Sequence, residues 1–397
     1  MYIAPDLRFV HVSDTHLGYR QYGLSERLDD WSSATRESVD YAIQNQVDCV
    51  VHSGDLFNSN KVDHTSLIHA IEMLRALKDA DIPFFVIDGN HDRRKGSQTH
   101  TALDVLQRLD LCHYLAPAGR TLEGAIGEVN GTSIVGLGYH GAYLRSKLRD
   151  FYEQMPEGHN VVLLHAGITQ YAEGGHPDIA PPELAVLRPK AAYLALGHYH
   201  NKFRLDDWIF NPGSPEYYRF SDYGIERCFY DVTMQNGNPE VREIDVRGVR
   251  RMVSISADYP GDDYSVRGAV QALLDEAELE APVSGSLLRV ILNGEAESPP
   301  NLSELKQFID ERYVPLYSTV LDNTVSTDGE LIETPGSLDD LEMNMFASSF
   351  ARYNEQARDV AGFAHTLLRE IIESQLTNTD DAEPIVQHVS RFRRDHV

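Results

Sequence analysis

The sequence predicts an α/β fold: a layered sandwich with mixed sheets, then a small α+β unit, then C-terminal helices. Three observations lead there. Strand-like and helix-like segments alternate over roughly the first 245 residues, a shorter β-α-β-α-β pattern begins at about residue 250, and apolar stripes of helical period fill the C-terminal part. A chain of 397 residues has room for two or three domains.

Taken in order, Leu7 to Val12 reads as a strand, Trp31 to Gln46 as a helix and Asp48 to His52 as a buried strand. Leu67 to Lys78 is helical, with Leu67, Ile71, Leu74 and Leu77 on one face, and Pro83 to Ile87 is a strand again. Thr132 to Leu137, Val161 to Leu164 and Tyr193 to Leu196 continue the strand series. From Trp208 to Val246 the pattern turns to hairpins. The smaller unit follows as strand Met252 to Ala257, helix Val266 to Leu279, strand Leu287 to Leu292, helix Leu302 to Tyr313 and strand Leu316 to Leu321. The expected domains are therefore 1–249, 250–323, a polar linker over 324–336 and a helical region over 337–397. In that last region Phe346, Phe350, Val360, Phe363, Leu367, Leu368 and Ile371 fall on apolar stripes suited to a partner surface.

Bulk composition narrows the class. The apolar runs are of strand length, too short to span a membrane, and the N-terminal residues lack the charged and apolar regions of a signal peptide. Cys49, Cys112 and Cys228 are scattered thiols that fit a reducing cytoplasm. The net charge of −26, with only seven lysines among 35 basic residues, suits a cytoplasm at very high salt such as that of a halophilic archaeon. A basic strip beside the site could still meet phosphates: Arg20 and Tyr22, Lys61, the run Arg93-Arg94-Lys95, and Tyr218-Arg219.

The chemistry lies in loops that follow strands. They read Ser13-Asp14-Thr15-His16, Gly54-Asp55, Gly89-Asn90-His91-Asp92, Leu164-His165-Ala166 and Gly197-His198-Tyr199-His200. Loops at the carboxyl ends of neighbouring strands converge on one crevice. In extended backbone, residues two apart point the same way, so Asp14 with His16, and His198 with His200, can each reach a common ion. Mixed imidazole and carboxylate donors suit manganese, iron or zinc, and the two oxygens of Asp55 can bridge two ions.

These motifs resemble those of the calcineurin-like metallophosphoesterases. With Asp14-Thr15-His16-Leu17-Gly18-Tyr19, Gly54-Asp55-Leu56-Phe57, Gly89-Asn90-His91-Asp92-Arg93 and Asn211-Pro212-Gly213-Ser214, they look most like the double-strand-break repair nucleases of the meiotic-recombination-eleven type, called SbcD in bacteria. The resemblance implies a phosphoesterase sandwich, a cap domain and C-terminal helices that bind an SMC-like ATPase of the Rad-fifty type, in a homodimer. It also implies a manganese-dependent DNA exo- and endonuclease in which two ions deliver a hydroxide to phosphorus. One ion would take Asp14, His16, Asp55 and His200, and the other Asp55, Asn90, His165 and His198. His91 would stabilise the transition state or protonate the leaving oxygen, and Asp92 would either orient His91 or hold the loop.

The chain departs from that pattern at Asn58, where these nucleases carry a histidine associated with exonuclease function. Asparagine can bind a phosphate oxygen but holds no proton near neutral pH. The competing readings are a small-substrate phosphodiesterase, a diverged paralogue with weak exonuclease activity, and a non-catalytic scaffold. A scaffold would be expected to have lost ligands, and none is missing.

Overall fold

The structure is a computed structural model that describes residues 6–326 apart from 97, 120, 172–177 and 297. The docking residues Phe346, Phe350, Val360, Phe363, Leu367, Leu368 and Ile371, and the linker beyond 326, lie outside the described residues.

Strand alternation builds the layers. In β1 (Leu7–Val12), Leu7 and Phe9 face one way while Val10 and Val12 face the other. In β2 (Cys49–His52), Cys49 and Val51 oppose Val50, and in β3 (Phe84–Val86), Phe85 opposes Phe84 and Val86. The further strands are β4 (His113–Tyr114), β5 (Ile126–Val129), β6 (Thr132–Leu137), β7 (Asn160–His165), β8 (Ala191–Gly197), β9 (Phe203–Leu205), β10 (Ile209–Asn211), β11 (Cys228–Gln235) and β12 (Asn238–Asp245). The described residues form two six-stranded mixed sheets, ordered β12-β11-β1-β2-β3-β4 and β5-β6-β7-β8-β10-β9. Their central strands run parallel, with β2 between β1 and β3, and β7 between β6 and β8.

One apolar cluster joins the inner faces, uniting Leu7, Phe9, Val51 and Phe85 with Val161, Leu163, Tyr193 and Phe210. Each of its fully buried large side chains contributes roughly 1.5–3 kcal/mol. The outer face of the first sheet packs on α1 (Ser25–Gln44), α2 (His64–Asp79) and α3 (Ala102–Arg108), and that of the second on α4 (Leu144–Gln154) and α5 (Pro181–Leu184). The result is the α/β sandwich expected. Helix α1 starts six residues before the expected Trp31, because its first turn buries Arg27 beside a single apolar residue, Leu28. Apolar periodicity cannot register a buried arginine. Helix α2 starts at His64 because the Asp63 carboxylate accepts from the Ser66 amide.

Beyond residue 250, β13 (Met252–Asp258), α6 (Asp263–Glu280) and β14 (Leu287–Asn293) are followed by the short β15 (Glu295–Ala296). Helix α7 (Leu302–Tyr313) and β16 (Tyr317–Asp322) come next. The sheet order is β13-β14-β16, parallel throughout. A separate two-stranded ladder pairs β15 with β17 (Val325–Ser326). Charged groups bind the small sheet to the sandwich. The Arg250 guanidinium donates to Asp30 at 2.7 Å and to the Gly285 carbonyl at 2.8 Å, while its amide donates to buried Glu216 at 2.9 Å. Arg27 meets the same Glu216 at 3.3 Å and Asp30 at 2.7 Å. Tyr22 stacks on Tyr317 with centroids 3.9 Å apart.

Candidate metal centre

Parallel strands deliver their carboxyl ends to one edge, so the loops after β1, β2, β3, β7 and β8 gather there. The first two loops are laced together beyond the strands. The Asp14 amide donates to the Gly54 carbonyl at 3.1 Å, His16 to Asp55 at 3.1 Å and Leu17 to Leu56 at 2.9 Å. The backbone is not extended here, which corrects the expectation of residues two apart pointing alike. Asp14 (φ 50°), His16 (φ 41°), Asp55 (φ 56°) and His198 (φ 102°) all have left-handed backbone. Such residues cost on the order of 1–3 kcal/mol each and persist where surroundings enforce them. Asp14 and His16 do converge, but His198 and His200 part, each joining a different group.

The His16 and His200 Nε2 atoms lie 3.1 Å apart, and both rings cluster with a carboxylate oxygen of Asp14. On the other side, Asn90 Oδ1 lies 3.1 Å from His165 Nε2 and 2.9 Å from His198 Nδ1. Asp55 stands between. It clusters with Asp14 and His165 and again with His16 and His91, and its Oδ2 is 3.3 Å from His165 Nε2. The structure thus brings together all seven expected ligands and His91.

Neighbouring groups fix the faces these ligands present. His165 Nδ1 donates to the Ser53 carbonyl at 2.9 Å, leaving Nε2 toward Asp55. The His198 amide donates to both Asp14 oxygens at 3.0 and 3.1 Å, and the His91 amide to Asp55 Oδ1 at 2.8 Å. Gly89 has no room for a side chain, since a Cβ there would sit 2.0 Å from Asp55 Oδ1.

Burial lowers His16 to about 3, His198 to about 4, and His200 well below its ordinary value, so these rings are neutral ligands. Burial alone would raise the Asp55 carboxyl, yet His165, His16 and His91 hold it below the usual carboxylate range. Burial opposes charge on His165 as well, but Asp55 and Asp14 outweigh it and raise its pKa. A carboxylate common to two sets of imidazole and oxygen donors fits two divalent transition ions.

The remaining expectations divide. His91 Nδ1 faces the Asn58 carbonyl oxygen at 2.9 Å. Of the two parts open to Asp92, its hydrogen bonds are those of a loop brace: Oδ1 accepts from the Gly89 amide at 2.8 Å and Oδ2 from the Phe57 amide at 3.2 Å. The Asn58 side-chain oxygen is buried without a hydrogen bond. Arg20, Lys61, Lys95 and Arg219 are exposed, whereas Arg94 pairs with Asp104 at 2.7 Å and Tyr22 is taken up by Tyr317. The Arg93 guanidinium lies over the Tyr139 ring at 5.1 Å. Tyr139 itself escaped the sequence reading. Its signal was one more strand-end loop, Gly138-Tyr139-His140, after β6.

The sequence profile of the calcineurin-like phosphoesterases matches residues 7–202. The chain is similar to proteins named DNA double-strand break repair protein Mre11. That of Sulfurisphaera tokodaii is 27% identical across 97% of this chain and 96% of its own length. That of Saccharolobus solfataricus is 34% identical across 54% of this chain and 55% of its own. That of Haloferax volcanii is 30% identical across 73% of this chain and 62% of its own.

Proposed function

Residues 7–202 make this chain a member of the calcineurin-like phosphoesterase family, and from that premise we propose that it is a manganese-dependent DNA phosphodiesterase that processes the ends of double-strand breaks. The observation that carries the reading is Asp55, one buried carboxylate common to two groups of ligand-type side chains at the strand ends. Likeness to the archaeal Mre11 proteins supports DNA as the substrate.

Asp14, His16, Asp55 and His200 would hold one ion, and Asp55, Asn90, His165 and His198 the other. Ions held there would supply an activated water and charge neutralisation at the phosphoryl oxygens. The chain's own residues do the rest. Asp55 is held by the His91 amide, so the loop carrying His91 moves with the ligand it serves. With Nδ1 engaged by the Asn58 carbonyl, His91 presents Nε2 as the atom that can give a proton to the leaving oxygen.

The same reading assigns 1–249 to the nuclease domain, 250–323 to a cap, 324–336 to a linker and 337–397 to docking of an SMC-like ATPase. It places the protein in the cytoplasm; among the described residues no helix is long and apolar enough to cross a membrane. Exposed Ile68 on α2, Val105 on α3 and Leu109 just after α3 are apolar side chains open to a second copy of the chain, in keeping with a homodimer.

The test is metal content and DNA hydrolysis in the purified chain. Two manganese ions per chain and cleavage of linear DNA are expected. His91→Asn should lower turnover by about 10²–10⁴-fold with both ions retained. Parent-like turnover in that variant would remove His91 from the chemistry.

A further inference from the structure

The loop that carries His200 is anchored from behind at three successive carbonyls. Asn211 Nδ2 donates to those of Tyr199 and Asn201, at 2.9 and 3.0 Å. The His200 carbonyl between them accepts from the Ser214 amide at 3.0 Å and from Arg227 Nη1 at 2.6 Å. Space is equally tight, since a Cβ at Gly213 would sit 2.3 Å from the same His200 oxygen. Arg227 stands just before β11 and is buried, with every N–H of its guanidinium engaged. Besides His200, its partners are the Ile225 carbonyl at 3.1 Å, Asn201 Oδ1 at 3.1 Å, the Asp222 carbonyl at 3.3 Å and Ser214 Oγ at 3.4 Å. The guanidinium also lies over the Tyr217 ring at 5.0 Å, and the next residue, Tyr218, sets its ring 4.1 Å from that of His200.

We propose that Arg227 is a positioning residue for His200, and that it thereby sets the affinity of one half of the centre, that of Asp14, His16, Asp55 and His200. The inference rests on the two-ion reading above and deepens it. None of the five bonds of Arg227 goes to a carboxylate. A guanidinium buried in this way is costly, and an apolar side chain would fill the same space without that cost. What the guanidinium supplies is a rigid planar fork that fixes several backbone segments at once. The segments it gathers are the His200 loop, the turn at Ser214 and the turn from Asp222 to Ile225. The other half of the centre is held by different groups. His165 is oriented by the Ser53 carbonyl, and His198 by Asn90 and the Asp14 carboxylate. A residue that orients a ligand is typically worth 10- to 100-fold in metal affinity. Here that effect falls on one ion and spares its neighbour.

The experiment titrates manganese into the full metal-free chain, counts bound ions, and reads their magnetic coupling by electron paramagnetic resonance. The parent should bind two coupled ions. Arg227→Met should weaken one of them by about 10- to 100-fold, leave the other at parental affinity, and lose the coupled signal at intermediate manganese. Combined with His200→Ala it should cost nothing beyond His200→Ala alone, because both act through one imidazole. Arg227→Lys, which offers the His200 carbonyl a donor without the fork, should lose an intermediate factor at the same ion. That variant decides alone should Arg227→Met fail to fold. In any folded variant, parental affinity for both ions or equal weakening of the two overturns the proposal, as would additive losses in the double variant. A parent that binds fewer than two ions removes the two-ion reading itself, and the role of Arg227 with it.

Discussion

Asn58 touches two of the site's histidines through two different groups. Its backbone carbonyl accepts from His91 Nδ1, a contact any residue could supply. Its side-chain oxygen is buried beside His16, whose ring burial keeps neutral. Asn58→His therefore leaves His91 in place and adds a ring that can hold a proton near neutral pH. Cutting at duplex ends is expected to rise by roughly tenfold or more, with two ions still bound. A parent already robust on duplex ends and unmoved by the substitution would dismiss this role for position 58. The ligands themselves were legible because Asp-x-His and Gly-Asp stand directly behind apolar runs. The separation of His198 from His200 was not, since a φ of 102° at His198 leaves no trace in residue order.

At the scale of elements, the site depends on how closely loops approach. The β3 loop passes so near Asp55 that Gly89→Ala would press a methyl group against the carboxylate. Such overpacking costs about 1–3 kcal/mol. It should also displace the carboxylate that both ions would share, so bound metal is expected to fall below two per chain along with the melting temperature. Full metal content with unchanged melting would show that Asp55 is fixed by other contacts. Strands and most helices announced themselves through period-two and helical apolar patterns. The first turn of α1 did not, because Arg27 is held there by Gln21, Asp30, Glu216 and the Tyr217 carbonyl, partners dispersed along the chain. The same dispersal hid the seam that joins the small sheet to the sandwich.

For the molecule as a whole, the histidines buried between and beside the sheets set the response to acid. His11 is fully buried, and Ser53 spends its hydroxyl proton on the Leu196 carbonyl at 2.7 Å. His11 Nε2 must then donate to Ser53, and Nδ1 accepts from the Tyr193 hydroxyl at 2.8 Å, so the ring is neutral. Burial lowers its pKa to about 3, and that of His52 likewise to about 3. A folded pKa below the unfolded value of about 6.5 means the unfolded chain binds the proton more readily. Stability is therefore complete above about pH 6.5 and declines toward pH 3, by about 1.4 kcal/mol per pH unit for each such histidine. Melting curves of metal-free protein at constant high salt should show this decline, with a shallower slope in His11→Gln. The same slope in both proteins would exclude His11 as a contributor.

The left-handed backbone at Asp14, His16, Asp55 and His198 has one more consequence. Strain concentrated in three strand-end loops is relieved by letting those loops open, and whatever binds only the closed form opposes this by RT ln(1 + [L]/Kd). The ions that enable chemistry thereby become fasteners of the architecture. A chelator then acts as a local denaturant, and amide exchange or a protease would find these loops before any strand behind them.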